Sequence, residues 1–336
     1  MTPLAAPAVG VVMPVYNAAA FLPQSLAALA AQSHRAFLCF LVDDGSSDGS
    51  AALCRRFAAR DPRFRVLTQP QSGVSAARAA GLAAARQAGA AYISFADADD
   101  LCHPRFLEVL LAAAQTTGCG AACCRFVPFA GAPPLYDALP ETPPPPRVLA
   151  APAHRDALLH DRRVDFSLCN KLYRADLLSP ALLDNGYRYN EDLWANWQIF
   201  SVLPGLAFCD FVGYLYRQHP DSASHRPLLA QSLSQQREIA ARIRASAAGT
   251  PLADAADRFY YEKLTYLASM ILRRRNAADY AGELADLTVA LRAGLRDPAL
   301  GANPRLGAAV RLAAFATVRC RGVYAAVCRA FLRDRQ

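Results

Sequence analysis

Asp97-Ala98-Asp99-Asp100 follows directly on the apolar run Ala91-Tyr92-Ile93-Ser94-Phe95-Ala96, so three carboxylates crowd the point where a buried strand leaves its sheet. Like charges that close, in low dielectric, either take up protons or share a cation. No His or Cys accompanies them, and all-oxygen ligation suits Mg²⁺ or Mn²⁺ holding a phosphorylated substrate; the plainer account is an Asp-rich turn capping a helix that begins near His103-Pro104. In Val42-Asp43-Asp44-Gly45-Ser46-Ser47-Asp48, Asp44 is placed to accept an N–H from a pyrimidine or guanine edge, or the string is an ordinary turn with Ser46 or Asp48 as helix cap. Gly73-Val74-Ser75-Ala76-Ala77-Arg78 opens a helix whose amino end favours phosphate, and Arg78 one turn in reaches either a diphosphate or solvent. Asn190-Glu191-Asp192 begins a later helix with Asn190 as its cap. The helix dipole there lowers a carboxyl pKa, so a base at Asp192 must act by geometry.

The elements that must hold these groups alternate. Val9 to Val15, Phe37 to Val42, Phe64 to Leu67 and Ala91 to Ala96 read as strands; Ala18 to Ala31, Asp48 to Arg60, Gly73 to Ala88 and Pro104 to Thr116 read as helices. That order is the signature of a mainly parallel sheet with helices on both faces. Both acidic clusters then fall at the carboxyl ends of strands, the edge where open α/β sheets bind ligands. The apolar stretch Cys119 to Phe129 reads as a core strand, the prolines between Ala132 and Pro146 as a loop or a stiff extended flap, Asp176 to Leu183 and Asn190 to Leu203 as helices, and Leu206 to Phe208 and Val212 to Arg217 as short strands. From about Pro227 the chain turns to long Ala-, Leu- and Arg-rich helices, placing a boundary near Arg226.

Pro14-Val15-Tyr16-Asn17, Asp43 to Asp48, Gly73 to Arg78, Asp97 to Asp100 and Glu191-Asp192 stand in the order that resembles the family 2 glycosyltransferases, the inverting sugar transferases of GT-A fold. Asn170-Lys171-Leu172-Tyr173-Arg174 and Tyr216-Arg217-Gln218-His219 are also similar to that family's acceptor half. The resemblance implies a Rossmann-like, mixed but mainly parallel sheet flanked by helices, with a catalytic domain over 1–226 (nucleotide-binding half 9–117, acceptor half 118–226) and a helical C-terminal region over 227–336. It implies that Asp44 contacts the nucleobase, with Pro14, Tyr16 and Asn17 lining its pocket and Arg78 beside the nucleotide. Asp97 and Asp99 would hold a divalent metal, Mn²⁺ or Mg²⁺, or the ribose and diphosphate around it, with Asp99 the stronger metal candidate, and Asp100 would face the donor sugar or its acceptor. Asp192 becomes the general base. One departure is Ala79, where the family usually has Asn after the arginine. The implied reaction is sugar transfer from a nucleotide donor, UDP-linked by family expectation, to a hydroxyl of a glycan or lipid-linked glycan in envelope or extracellular polysaccharide synthesis. The competing accounts are an inert partner of a glycan assembly complex, and a sugar nucleotidyltransferase, which expects a Gly-rich loop where Val9 to Asn17 has only Gly10.

Trp194 and Trp197, three apart on the helix that Asp192 begins, offer a ring to an acceptor sugar or pack in the core. Glu191, Arg217 and His219 are further acceptor or lid candidates, the last with Ser222, Ser224 and His225 in a polar stretch that folds over the donor or stays a solvated loop.

The remaining composition narrows the partners. With 336 residues and 54% hydrophobic content the chain has a sizeable core and is not a disordered protein. Net charge is +8, almost wholly from arginine, but no zinc-finger spacing or RNA-binding aromatic signature accompanies it, so nucleic acid is not expected as a partner. Ten scattered cysteines without a charged-then-apolar leader suggest reduced thiols in a cytoplasmic protein. Near the end, Val323, Tyr324, Val327 and Phe331 project to one side of a helix and Arg319, Arg329 and Arg333 to the other, as on a helix resting on the inner face of an anionic membrane; packing on the catalytic domain gives the same period.

Overall fold

Strand β1 (Val9–Val15) is buried along nearly its whole length and β2 (Phe37–Asp43) at every residue, as parallel strands covered on both faces require. The computed structural model describes residues 8–136, 143–161, 163–219, 230–274, 276–297, 303 and 307–331. It divides the chain into two units, residues 1–187 with 191–220 and residues 188–190 with 221–336.

The first unit is built on a nine-stranded sheet. β1 pairs in parallel with β2 on one side and with β4 (Tyr92–Phe95) on the other, while β3 (Phe64–Thr68) lies outside β2. The chain thus runs outward from β1 to β3, then returns to the opposite side of β1. The carboxyl ends of β1 and β4 flank the switch point of the strand order, the place where open α/β sheets bind ligands. Pro14 marks this place locally. Val12 O accepts the Ala96 N–H at 3.0 Å on the β4 side, and Pro14, two residues on, faces the same side where β4 has already left the sheet, so its missing N–H breaks no ladder.

Helices α1 (Leu22–Ala30), α2 (Ser50–Ala58), α3 (Val74–Gln87) and α4 (Phe106–Thr117) connect these strands and their neighbours. α3 lies against β1 and β2 so closely that a Cβ at Gly81 would overlap Val12 and come within 3.1 Å of Val42. Beyond β4 the sheet continues as β8 (Lys171–Arg174), β6 (Ala121–Phe129), β9 (Gly205–Arg217) and β5 (Leu101–Cys102), with β7 (Arg147–Ala150) also on β9. β8 runs antiparallel to β4 and β6, and β6 runs parallel to β9.

Several expected elements differ. The two short strands before Arg217 are one strand, β9, whose register against β6 shifts near Arg125. The helix expected over Asp176 to Leu183 is a 3₁₀ turn, Ala175–Leu177, and a single turn, α6 (Pro180–Leu183), because Ser179 before Pro180 is held extended at ψ 153°. Strands β5 and β7 and helix α5 (Ala153–His160) were not anticipated. α7 spans Glu191–Ser201.

Among described residues the second unit is helical: α8 (Ala230–Ala247), α9 (Ala253–Leu272), α10 (Ala281–Arg296), α11 (Ala308–Arg319) and α12 (Arg321–Phe331). Leu233, Leu264, Leu267, Ile271, Leu287 and Leu291 form its core. The boundary expected near Arg226, the lid residues Ser222, Ser224 and His225, and Arg333 lie outside the described residues. No helix among the described residues is long and apolar enough to cross a membrane.

Candidate active site

The turn after β4 is held from β9. The Asp97 N–H donates to the Tyr214 hydroxyl at 3.0 Å, and the Arg217 N–H donates to Asp100 Oδ1 at 2.7 Å. Arg217 Nε donates to the Asp99 carbonyl at 2.7 Å and Nη2 to Gln24 Oε1 at 2.7 Å, with the guanidinium over the Phe21 and Phe129 rings. Arg217 was expected among the acceptor or lid residues. Its contacts make it instead a buried brace, because a buried arginine must have its donors satisfied inside the protein. His219 does face the acidic turn: Nε2 lies 3.0 Å from Asp99 Oδ2 and its ring lies 4.3 Å from that of Phe21.

Arg78 is the hub of the second group. Its Nη1 donates to Asp192 Oδ1 at 2.6 Å and to Glu191 Oε1 at 3.4 Å, and its Nη2 donates to Asp97 Oδ1 at 3.1 Å. The guanidinium is buried, 5% exposed, and so is not the open phosphate fork expected one turn into α3. The register of β8 on β4 completes the cluster. Ser94 pairs with Leu172, and continuing three residues sets Asp97 opposite Cys169, whose thiol donates to Asp97 Oδ2 at 3.1 Å. The preceding Leu168 N–H donates to Asp192 Oδ2 at 3.2 Å. Neither contact carried a signal in the sequence, where Cys169 is one of ten scattered thiols.

One guanidinium does not neutralise this many acids, and the carboxyls are displaced accordingly. Burial pushes Asp192 above the usual carboxylate range although Arg78 pulls it back, so the lowering expected from the helix dipole is overridden. Burial and then Asp192 push Glu191 up to about 7. Asp99 is raised by burial and by Asp97, and Asp100 well raised by burial, Asp97 and Asp99. On Arg78, burial acts to lower the pKa, but Asp192 and Asp97 hold it well above its usual value.

Asp44 belongs to neither group. Its Oδ1 accepts from Gln69 Nε2 at 2.7 Å and the Ser72 N–H at 2.8 Å, and its Oδ2 accepts from the Gly73 N–H at 2.8 Å. The carboxylate expected to meet a nucleobase therefore anchors the segment leading into α3, where Gly73 at φ 96° needs the freedom of a glycine. Asn17 is likewise engaged within the chain. It sits at φ 47° with its Oδ1 accepting the Ser47 N–H at 2.9 Å, and its own N–H donates to Ser46 Oγ at 3.1 Å, lacing the exits of β1 and β2 together. Tyr16, 42% exposed, and half-buried Pro14 remain at that edge. Trp197 is buried with the Arg155 guanidinium 3.7 Å above its ring, which removes it as an acceptor platform; Trp194 is half-buried. Asn190 has φ 60° and precedes α7.

A model of the family described as glycosyl transferase family 2 matches residues 10–179, half of the chain. The chain belongs to glycosyl transferase family 2. EpsJ, an uncharacterized glycosyltransferase of Bacillus subtilis, is 29% identical over 237 residues, covering 68% of this chain and 67% of EpsJ. Seven further curated glycosyltransferases align over 14–37% of their own length. Among solved structures, S. aureus TarS 1-349 in complex with UDP-GlcNAc is similar with TM-score 0.63 at 16% identity, covering 96% of this chain and 91% of that one. Mannosyltransferase PcManGT from Pyrobaculum calidifontis, in complex with GDP-Man and Mn²⁺, is similar with TM-score 0.50 at 18% identity, covering 99% and 89%. At such identities these likenesses show the fold, which is of GT-A type.

In this family 2 glycosyltransferase the acidic turn fits a divalent cation by its chemistry. Asp97 and Asp99 bring oxygen donors near enough that Asp97 raises the Asp99 pKa, a repulsion that a cation relieves. Among the described residues no three metal-ligating side chains are grouped, and the two oxygens of Asp97 are engaged by Arg78 and by the Cys169 thiol.

Proposed function

We propose that residues 1–226 form a catalytic domain, with its nucleotide half over 9–117 and its acceptor half over 118–226, that moves a sugar with inversion from a UDP-linked donor to a hydroxyl of a glycan or lipid-linked glycan. Envelope or extracellular polysaccharide synthesis is the setting, and residues 227–336 are a helical appendage. One observation carries this reading: Arg78 gathers Asp97 from the nucleotide half and Asp192 from the acceptor half on one guanidinium. An acid beside the leaving group and an acid beside the nucleophile are thereby fixed in a single frame.

Asp192 takes the proton of the attacking hydroxyl. Burial makes it a stronger base than an ordinary carboxylate, while Arg78 favours its ionised form. In-line attack on the anomeric carbon then inverts its configuration and needs no covalent intermediate. Asp97 and Asp99 would hold the divalent cation, Mn²⁺ or Mg²⁺, which when bound would neutralise charge developing on the leaving diphosphate. Asp100 lies under the donor sugar, and His219 orients Asp99. Tyr16 and Pro14 receive the base, with Asn17 and Asp44 acting by fixing the loops around it. Glu191 and Trp194 border the acceptor. The C-terminal helices make peripheral contact with the inner face of an anionic membrane.

The test is a pair of variants assayed for donor binding and for transfer, with nucleoside diphosphate release measured across a panel of sugar nucleotides with Mn²⁺. Asp192→Asn keeps donor binding and loses transfer by about 100-fold or more, whereas Asp99→Ala weakens metal-dependent donor binding. Full turnover in Asp192→Asn removes the base assignment, and no diphosphate release from any donor removes the transferase reading of this site.

A further inference from the structure

Lys171, at the start of β8, is fully buried, and all three of its ammonium hydrogens have acceptors: the Asp165 carbonyl at 2.9 Å, the Ser167 carbonyl at 2.6 Å and Asn170 Oδ1 at 2.7 Å. No carboxylate oxygen is among them. A buried cation engaged with carbonyls of its own loop is a costly way to hold a fold, and an apolar side chain would fill the same space. What distinguishes this loop is its output. Leu168 donates to Asp192, and Cys169 donates to Asp97.

The loop is fixed from a second direction. The Tyr173 hydroxyl donates to Asn196 Oδ1 at 2.7 Å, and Asn196 Nδ2 donates to the Phe166 carbonyl at 2.8 Å. The backbone itself is constrained, with Asp165 at φ 47° and its Oδ1 accepting the Ser167 N–H at 2.7 Å. Lys171 on β8 and Asn196 on α7 thus grip residues 165–167 from both sides, and the next two residues orient two acids of the site.

We propose that Lys171, supported by the Tyr173–Asn196 pair, is a positioning residue that fixes the 165–169 loop so that the Leu168 N–H and the Cys169 thiol hold Asp192 and Asp97 in their productive orientation. The proposal rests on Asp192 being the base. Lys171 acts through the loop and not on substrate.

Lys171→Met conserves length without the charge. In the full chain it lowers kcat by about 10- to 100-fold, the cost of misplacing a catalytic group by about an ångström, and raises the metal-dependent donor KM as well, because the Cys169 thiol of the loop holds Asp97, one of the two proposed metal carboxylates. The acid limb of kcat moves to higher pH, since both the Leu168 N–H and the ammonium favour ionised Asp192. The groups facing Asp192 are Arg78 from α3, Asp97 from the β4 exit, Glu191 on its own helix, Cys169 from the loop, and Lys171 and Tyr173 from β8; of these only Lys171 changes. Tyr173→Phe keeps the ring and loses only the hydroxyl, so it gives a smaller kcat loss in the same direction and carries the test if Lys171→Met does not fold. In an Asp192→Asn background neither substitution moves the pH dependence of residual donor hydrolysis, because the base whose ionisation they favour is gone, while their effect through Asp97 persists. Unchanged kcat in Tyr173→Phe or in folded Lys171→Met, beside an inactive Asp192→Asn, overturns the positioning role alone. Full transfer by Asp192→Asn overturns the base assignment on which it rests.

Discussion

The Glu191 carboxyl is raised from an ordinary 4.5 to about 7 by burial and by Asp192. Folded protein therefore binds this proton between about pH 4.5 and 7 where unfolded chain has lost it, and stability falls as pH rises through that window. Glu191→Gln removes the proton and the charge together. Its unfolding free energy should change less with pH between 5 and 7 than that of the parent, with a gain on the order of 1 kcal/mol near pH 8. Denaturant titrations at several pH values measure this; identical pH slopes for the two proteins would show that Glu191 titrates normally. Activity need not follow the same curve, because Glu191 and Asp192 share one guanidinium and lose their protons as a coupled pair.

At the scale of elements, the same three strand exits that bear motifs are tied together by side chains from elsewhere, and Arg217 at the end of β9 is the tie for the acidic turn. Arg217→Ala removes bonds to the Asp99 carbonyl and Gln24 and the stacking on Phe21 and Phe129, while the backbone bond to Asp100 can persist. The loss is about 2–4 kcal/mol of stability, with metal-dependent donor binding weakened by about tenfold or more because the turn carrying Asp97 and Asp99 loosens. Calorimetric titration of donor with and without Mn²⁺ checks it, and parental binding in a destabilised variant would confine Arg217 to stability. Much of this framework was legible in the sequence because β1, β2 and β4 are apolar runs closed by polar motifs, the pattern of strands covered on both faces. β5 and β7 were not, being two and four residues long and ordered only by pairing with β9. The acids of the site were legible as clusters, whereas their partners were not. Arg78 reads as facing phosphate or solvent, and only the fold brings it to Asp192, 114 positions away. Asp44 likewise reads as a ligand until its contacts with Gln69, Ser72 and Gly73 are seen.

At the scale of the molecule, the proposed membrane contact can be argued from the second unit alone. On α11 Leu312 is 68% exposed and Phe315 49%; on α12 Val323 is 70% exposed and Val327 43%. The expected stripe is thus divided, since Tyr324 packs against the helical core while Val323 and Val327 stay outside. Exposed Arg319 and Arg321 lie between these pairs, and neither helix contains an Asp or Glu. Large apolar side chains beside arginines are the combination that an anionic bilayer surface receives, by burial of the former and by charge attraction at about 1 kcal/mol for each basic residue near the surface. The full chain should float with vesicles of phosphatidylcholine containing phosphatidylserine, and less so as salt is raised. Leu312→Asp with Val323→Asp should abolish flotation while leaving transfer to a water-soluble acceptor unchanged, since both positions are exposed. Equal flotation of parent and double variant would assign these helices to protein packing, and no flotation of the parent at low salt would remove the membrane from the account altogether.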